Sequence, residues 1–213
     1  MKIKTIFILA VIVISVFLIY FITIDKEIYY VNLTDKQTGY SVLYRDYLDK
    51  NNKLEKYIDQ FNLEDYRITD FICMIEDNKE IKINSKKQTI KNALIKADLI
   101  TFSIGMNDIQ YKIGKSNISD LYDYVDEMLK DMKLLFSLIR QYSKEEIVFI
   151  GLYNTNDNIY NEVFNYMNDK IDALCNSYQI IYIDVQSIVG SGKKITEIED
   201  EQIFLKLKEK LKF

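Results

Sequence analysis

From residue 28 onward, short apolar runs alternate with longer segments whose apolar residues recur every three or four positions. The runs at 28–33, 97–104, 147–151 and 179–184 are rich in β-branched and aromatic residues, which predicts buried strands. Residues 56–63 predict a further, shorter strand. Between them, Tyr40, Leu43, Tyr44, Tyr47 and Leu48 fall on one helical face, as do Ile68, Phe71, Ile72 and Ile75 within 66–77. Residues 79–87 read as a polar loop, and 88–97 as another helix. A long helix is predicted over 119–141, with Leu121, Val125, Met128, Met132, Leu135 and Ile139 as its apolar stripe. Another spans 157–178, and Ile203, Leu207 and Leu211 predict a short final one. Strands alternating with helices of this length predict an α/β fold with a parallel sheet covered on both faces. Without an internal repeat or linker, residues 28–213 read as one domain.

Ahead of that domain, residues 5–24 carry no charge and consist mostly of Ile, Val, Leu and Phe. Twenty such residues span a hydrocarbon core as a helix. Lys2 and Lys4 precede the run, which places the amino terminus in the cytoplasm by the positive-inside bias. A cleaved signal peptide needs a small-x-small site, which residues 21–25 lack. Residues 1–27 therefore read as a cytoplasmic stub and single-pass anchor, with the domain outside the membrane.

A net charge of −4 argues against nucleic acid, whose backbone demands a clustered basic face. The chain has no histidine, which removes the usual neutral-pH general base and the commonest metal ligand together. No metal site or cofactor is expected. Cys73 and Cys175 fall on apolar positions of predicted helices and read as buried free thiols, although a disulfide is chemically permitted outside the cytoplasm.

The strand at 97–104 breaks at Gly105 into Asn107 and Asp108. In open α/β sheets, sites are built at the carboxyl edge, where this polar pair would sit. Asn and Asp equally favour turns and helix starts, so capping of the next helix is an open alternative.

The block Ser103-Ile-Gly-Met-Asn-Asp108, followed by Val148-Phe-Ile-Gly-Leu-Tyr-Asn154 and Ile181-Tyr-Ile-Asp-Val185, resembles the SGNH/GDSL hydrolases. The resemblance covers about residues 28–189. It implies a flavodoxin-like three-layer α/β/α fold and an ester hydrolase of the lipase, acylesterase or carbohydrate-deacetylase kind. In that family, Gly-Asp-Ser follows the first strand and supplies the serine nucleophile. Here Thr34, Asp35 and Lys36 fall on those positions, so only the aspartate matches. A second block carries an oxyanion-binding glycine, and Asp65 falls there, where a carboxylate opposes a developing oxyanion. The third block is kept: Asn107 matches the oxyanion asparagine, with Gly105 and Asp108 beside it. The closing Asp-x-x-His is absent, and Ile195-Thr-Glu-Ile-Glu-Asp200 stands in its place.

Loss of a serine nucleophile or its base typically costs about 10⁶ in turnover. The chain therefore reads as a membrane-anchored hydrolase-like module without hydrolysis, binding or scaffolding, with an acyl or glycan ligand near Asp35, Gly105, Asn107 and Asp108. The alternative is an active ester hydrolase with a rearranged catalytic set. In that set Lys36 would be the nucleophile or base if burial lowered its pKa; beside Asp35 it also reads as part of a solvated, charged loop. Asp184 and Glu197 read as strand-end and surface carboxylates.

Overall fold

The computed structural model describes residues 26–36, 39–83 and 86–211. Its centre is a five-stranded, all-parallel sheet in the order β2-β1-β5-β6-β7. The strands are β1 (Ile28–Thr34), β2 (Leu54–Asn62), β5 (Leu99–Ser103), β6 (Glu146–Ile150) and β7 (Ile181–Ile183). The helices are α1 (Tyr40–Lys50), α2 (Ile68–Glu76), α3 (Ile90–Lys96), α4 (Met106–Lys112), α5 (Ile118–Tyr142), α6 (Asn161–Ser177), α7 (Gln186–Val189) and α8 (Glu197–Lys210). A single 3₁₀ turn, Asn158–Tyr160, leads into α6.

Period-two alternation sorts side chains onto two cores. Val31, Leu33, Ile100, Phe102, Ile147 and Phe149 face α2, α3, α5 and α6. Ile28, Tyr30, Leu99, Val148 and Ile150 face the opposite way, where α1 and α8 pack. β1 and β5 are buried along their whole length, because helices cover both faces and a strand flanks each side. In the first core, Phe102 meets Phe136 at 5.1 Å and Phe149 at 4.9 Å between ring centroids, both edge to face.

The structure corrects three expectations. Residues 79–87 are not a loop: β3 (Glu80–Ile83) and β4 (Lys86–Thr89) pair antiparallel as a separate hairpin, with Ile81 packed against the first core. Gln88 and Thr89 belong to that hairpin, and Thr89 caps α3 by accepting the Asn92 N–H at 3.1 Å. Both cysteines are free, but Cys73 is exposed while Cys175 is buried. On α2 the buried positions are Ile68, Phe71, Ile72, Met74 and Ile75, which leaves Cys73 on the outer face. The proposed anchor, residues 5–24, lies outside the described residues; among those described, no helix is long and apolar enough to cross a membrane.

Candidate functional site

The chain runs from β1 outward to β2, then returns past β1 to β5, so the order of strands reverses between β1 and β5. Open α/β sheets build their sites outside the carboxyl ends of strands at such a reversal. Thr34, Asp35 and Lys36 lie there, with Thr34 opposite Ser103 at the end of β5. The Asp35 N–H donates to the Ser103 carbonyl at 3.2 Å, so the two strand ends are tied across the reversal.

Asp35 is fully buried. Its Oδ2 accepts the Gly105 N–H at 2.9 Å and the Asn107 N–H at 3.0 Å, capping α4 from another strand. Its Oδ1 has no hydrogen-bond partner among the described residues. Burial raises the Asp35 carboxyl to about 6, against the pull of those two amides. Asp108, at the first turn of α4, performs the same service for α2: its Oδ2 accepts the Ile68 N–H at 3.1 Å. Burial raises it to about 6 as well; the Ile68 amide opposes this and the nearby Asp35 charge adds to it.

A third carboxylate completes the arrangement. Asp200, in the first turn of α8, reaches back 161 positions, and its Oδ1 accepts the Gly39 and Tyr40 N–H groups at 2.9 Å each. It therefore caps α1, the next helix along the chain after Thr34, Asp35 and Lys36. Its carboxyl is raised by burial, with the two amides opposing. Three helix starts around the site are thus each occupied by a carboxylate of the chain itself. Elsewhere, such amides with their dipole form a ready anion site.

Asn107 is similarly engaged. Its side-chain Nδ2 donates to the carbonyls of Asp35 at 3.3 Å, Tyr66 at 2.8 Å and Glu64. The side chain ties the β2–α2 loop to the end of β1, and its N–H groups are spent on that bracing. Asp65 lies exposed on the braced loop. Thr34 is buried; its Oγ1 donates to the Lys36 carbonyl at 2.7 Å and accepts the Lys36 N–H at 3.0 Å, shaping the turn with its hydroxyl. Thr34, Asp35, Lys36, Ser103, Gly151 and Tyr153 line a cavity of about 10 Å³, the room of a single water molecule. Burial and the charges of Asp200 and Asp35 raise the Tyr153 phenol there.

The structure thus gathers Thr34, Asp35, Lys36, Gly105, Asn107 and Asp108 at one edge. Asp200 and Tyr153 were missed as site residues, though Asp200 closes the very segment aligned with the absent Asp-x-x-His. Asn107→Ala is expected to lower stability by about 1–2 kcal/mol, from three carbonyls losing their donor at a half-exposed site. Urea unfolding checks this, with amide exchange in residues 63–67 expected to quicken.

No family model matches the sequence, and no curated protein matches it. Solved structures do. The acetyl xylan esterase AlAXEase superposes with a TM-score of 0.63 at 12% identity, over 85% of this chain and 98% of that one. Axe2, an acetylxylan esterase from Geobacillus stearothermophilus, gives 0.62 at 11% identity, over 89% and 96%. The lipase Lip_vut3 from a goat rumen metagenome gives 0.55 at 13%, over 84% and 95%. The chain thus shares its overall fold with these two esterases and this lipase.

Proposed function

We propose that the chain is a hydrolase-fold module held at the outer face of a membrane by residues 5–24, working by binding or scaffolding rather than by ester hydrolysis. One observation carries this reading: the donors around the former catalytic edge are satisfied by the chain's own groups. Asp35, Asp108 and Asp200 take the amides at three helix starts, and three carbonyls take the Asn107 side chain. The chemistry agrees. Lys36 stands where the family places its nucleophile, and the sequence holds no histidine to act as base. An oxyanion donor is effective when preorganised toward the developing charge, and an amide committed to carbonyls is not. The cavity there has room for a single water molecule, so an acyl or glycan ligand would sit outside the old cleft.

Turnover of p-nitrophenyl acetate by the full chain, beside Asn107→Ala and Thr34→Gly/Lys36→Ser, tests the reading. No rate above the Asn107→Ala background is expected from the unaltered chain, nor from the partial restoration, which still lacks a base. A clear rate that disappears with Asn107→Ala would replace this reading with an active hydrolase using a rearranged set.

A further inference from the structure

The larger openings lie away from the catalytic edge, beside β7. This strand is an outer edge of the sheet and, among the described residues, pairs on one side only, with β6. In a parallel ladder, alternate residues turn both backbone groups to the same neighbour. The Ile183 carbonyl accepts the Gly151 N–H at 2.9 Å, so Ile183 faces β6 and the Tyr182 N–H and carbonyl face outward. Along this open edge runs a groove of about 720 Å³, adjoined at the strand's carboxyl end by one of about 370 Å³. Their walls differ in sign. Asp169 and Asp172 of α6, with Asp184 at the end of the strand, line one side; Lys206 and Lys210 of α8 line the other.

An exposed strand edge invites another strand, and natural proteins either block it or use it. A second copy of this chain is the wrong occupant. Antiparallel pairing of β7 with itself needs a two-fold axis normal to the sheet, which keeps each helix on its own face. Asp169 and Asp172 of one copy would then lie against those of the other, and Lys206 and Lys210 likewise. Like charges at close quarters suppress that partner. A foreign extended strand meets no such penalty. Its side chains alternate between the two faces, so one set reaches the acidic α6 wall and the other the basic α8 wall.

We infer that the β7 edge is a docking site for an extended peptide segment of a partner protein, with basic side chains toward α6 alternating with acidic ones toward α8. The site is distinct from the catalytic edge and does not depend on whether that edge hydrolyses esters. The backbone supplies affinity through the Tyr182 N–H and carbonyl, and the opposed walls supply selectivity.

The test uses the full chain in detergent micelles and acetyl-Thr-Lys-Glu-Lys-Glu-Lys-Thr-amide labelled with a fluorophore. Two controls accompany it: an isomer with the lysines and glutamates in blocks, and the alternating peptide N-methylated at its central residues. Anisotropy is expected to show the alternating peptide binding about tenfold or more tightly than either control. Asp169→Lys/Asp172→Lys makes both walls basic and is expected to abolish that preference while its far-UV circular dichroism stays unchanged. Equal affinity for all three peptides, no binding at millimolar concentration, or a dimer in sedimentation that Asp172→Lys alters would each overturn the inference.

Discussion

Asp35→Ala is expected to lower the unfolding free energy by about 3 kcal/mol near pH 4, where the carboxyl is protonated, because it strands two backbone amides at the start of α4 with no acceptor. Both bonds, from Gly105 and Asn107, go to one carboxylate oxygen. The alanine methyl can accept neither, so both amides lose the acceptor that anchors them. Asp35→Asn separates this structural role from charge. Its amide oxygen takes the place of Oδ2 and accepts both N–H groups, so Asp35→Asn is expected to stay within about 1 kcal/mol of the parent near pH 4, where the carboxyl is protonated, and to be the more stable of the two at pH 7.

The same pair of variants reads the charge through pH. The Asp35 carboxyl lies at about 6 in the folded chain, against an ordinary value of 3.8. Between those values the folded chain keeps a proton that the unfolded chain has released. The contribution of Asp35 to stability is therefore greatest below pH 4, falls as pH rises to about 6, and is level above it. A shift of this size corresponds to about 3 kcal/mol for one group. Asp108 titrates in the same range and feels the Asp35 charge, so the two lose their protons as a coupled pair. Urea midpoints from pH 4 to 7.5 are expected to decline in the unaltered chain, and to decline less in Asp35→Asn. A midpoint that climbs across this window, or an asparagine variant that runs parallel to the parent, would remove the buried charge from the account.

Asp35 also shows how far a sequence carries such a site. The strands were legible because Ile28 to Leu33 and Leu99 to Ile104 are apolar on both faces, as a sheet covered by helices requires. The hairpin of β3 and β4 was not, because half of its strand residues are charged (Glu80, Lys82, Lys86 and Lys87), and among the described side chains Ile81 is the hydrophobic one packed against the core. Gly105, Asn107 and Asp108 stood out through their place after a buried strand. What Asn107 does there was not legible, since its acceptors Glu64 and Tyr66 belong to a loop more than forty positions away. Asp200 was hidden for the same reason: in sequence it is one acid among several at the start of α8, and only the packing of α8 on α1 aims it at Gly39 and Tyr40. The buried network of Asn32, Thr101 and Tyr30 is of this kind too. The Thr101 hydroxyl donates to Asn32 Oδ1 at 2.7 Å and pairs with the Tyr30 hydroxyl at 2.8 Å. A polar residue in an apolar run predicts a hydrogen bond, but its partner comes from strand register.

Gly105→Ala is expected to destabilise the chain by about 2–4 kcal/mol, combining backbone strain with overpacking. Gly105 has φ of +123° and ψ of −7°, a conformation that L side chains rarely adopt. The added Cβ would stand 3.1 Å from Met132 Cε and 3.3 Å from Leu152 Cδ1, both in the first core. Relaxing the backbone to relieve that contact would pull the Gly105 N–H from Asp35 and tilt α4, so the two remedies oppose each other. Gly114→Ala provides the comparison. Its φ of +78° is also left-handed, but nothing lies within 4 Å of an added Cβ, so conformational strain of about 1 kcal/mol is the whole expected effect. Denaturant unfolding of the two variants therefore separates packing from backbone preference. A Gly105 variant no less stable than the Gly114 variant would mean that the turn between β5 and α4 yields, and that Asp35 does not hold the candidate site in the geometry described.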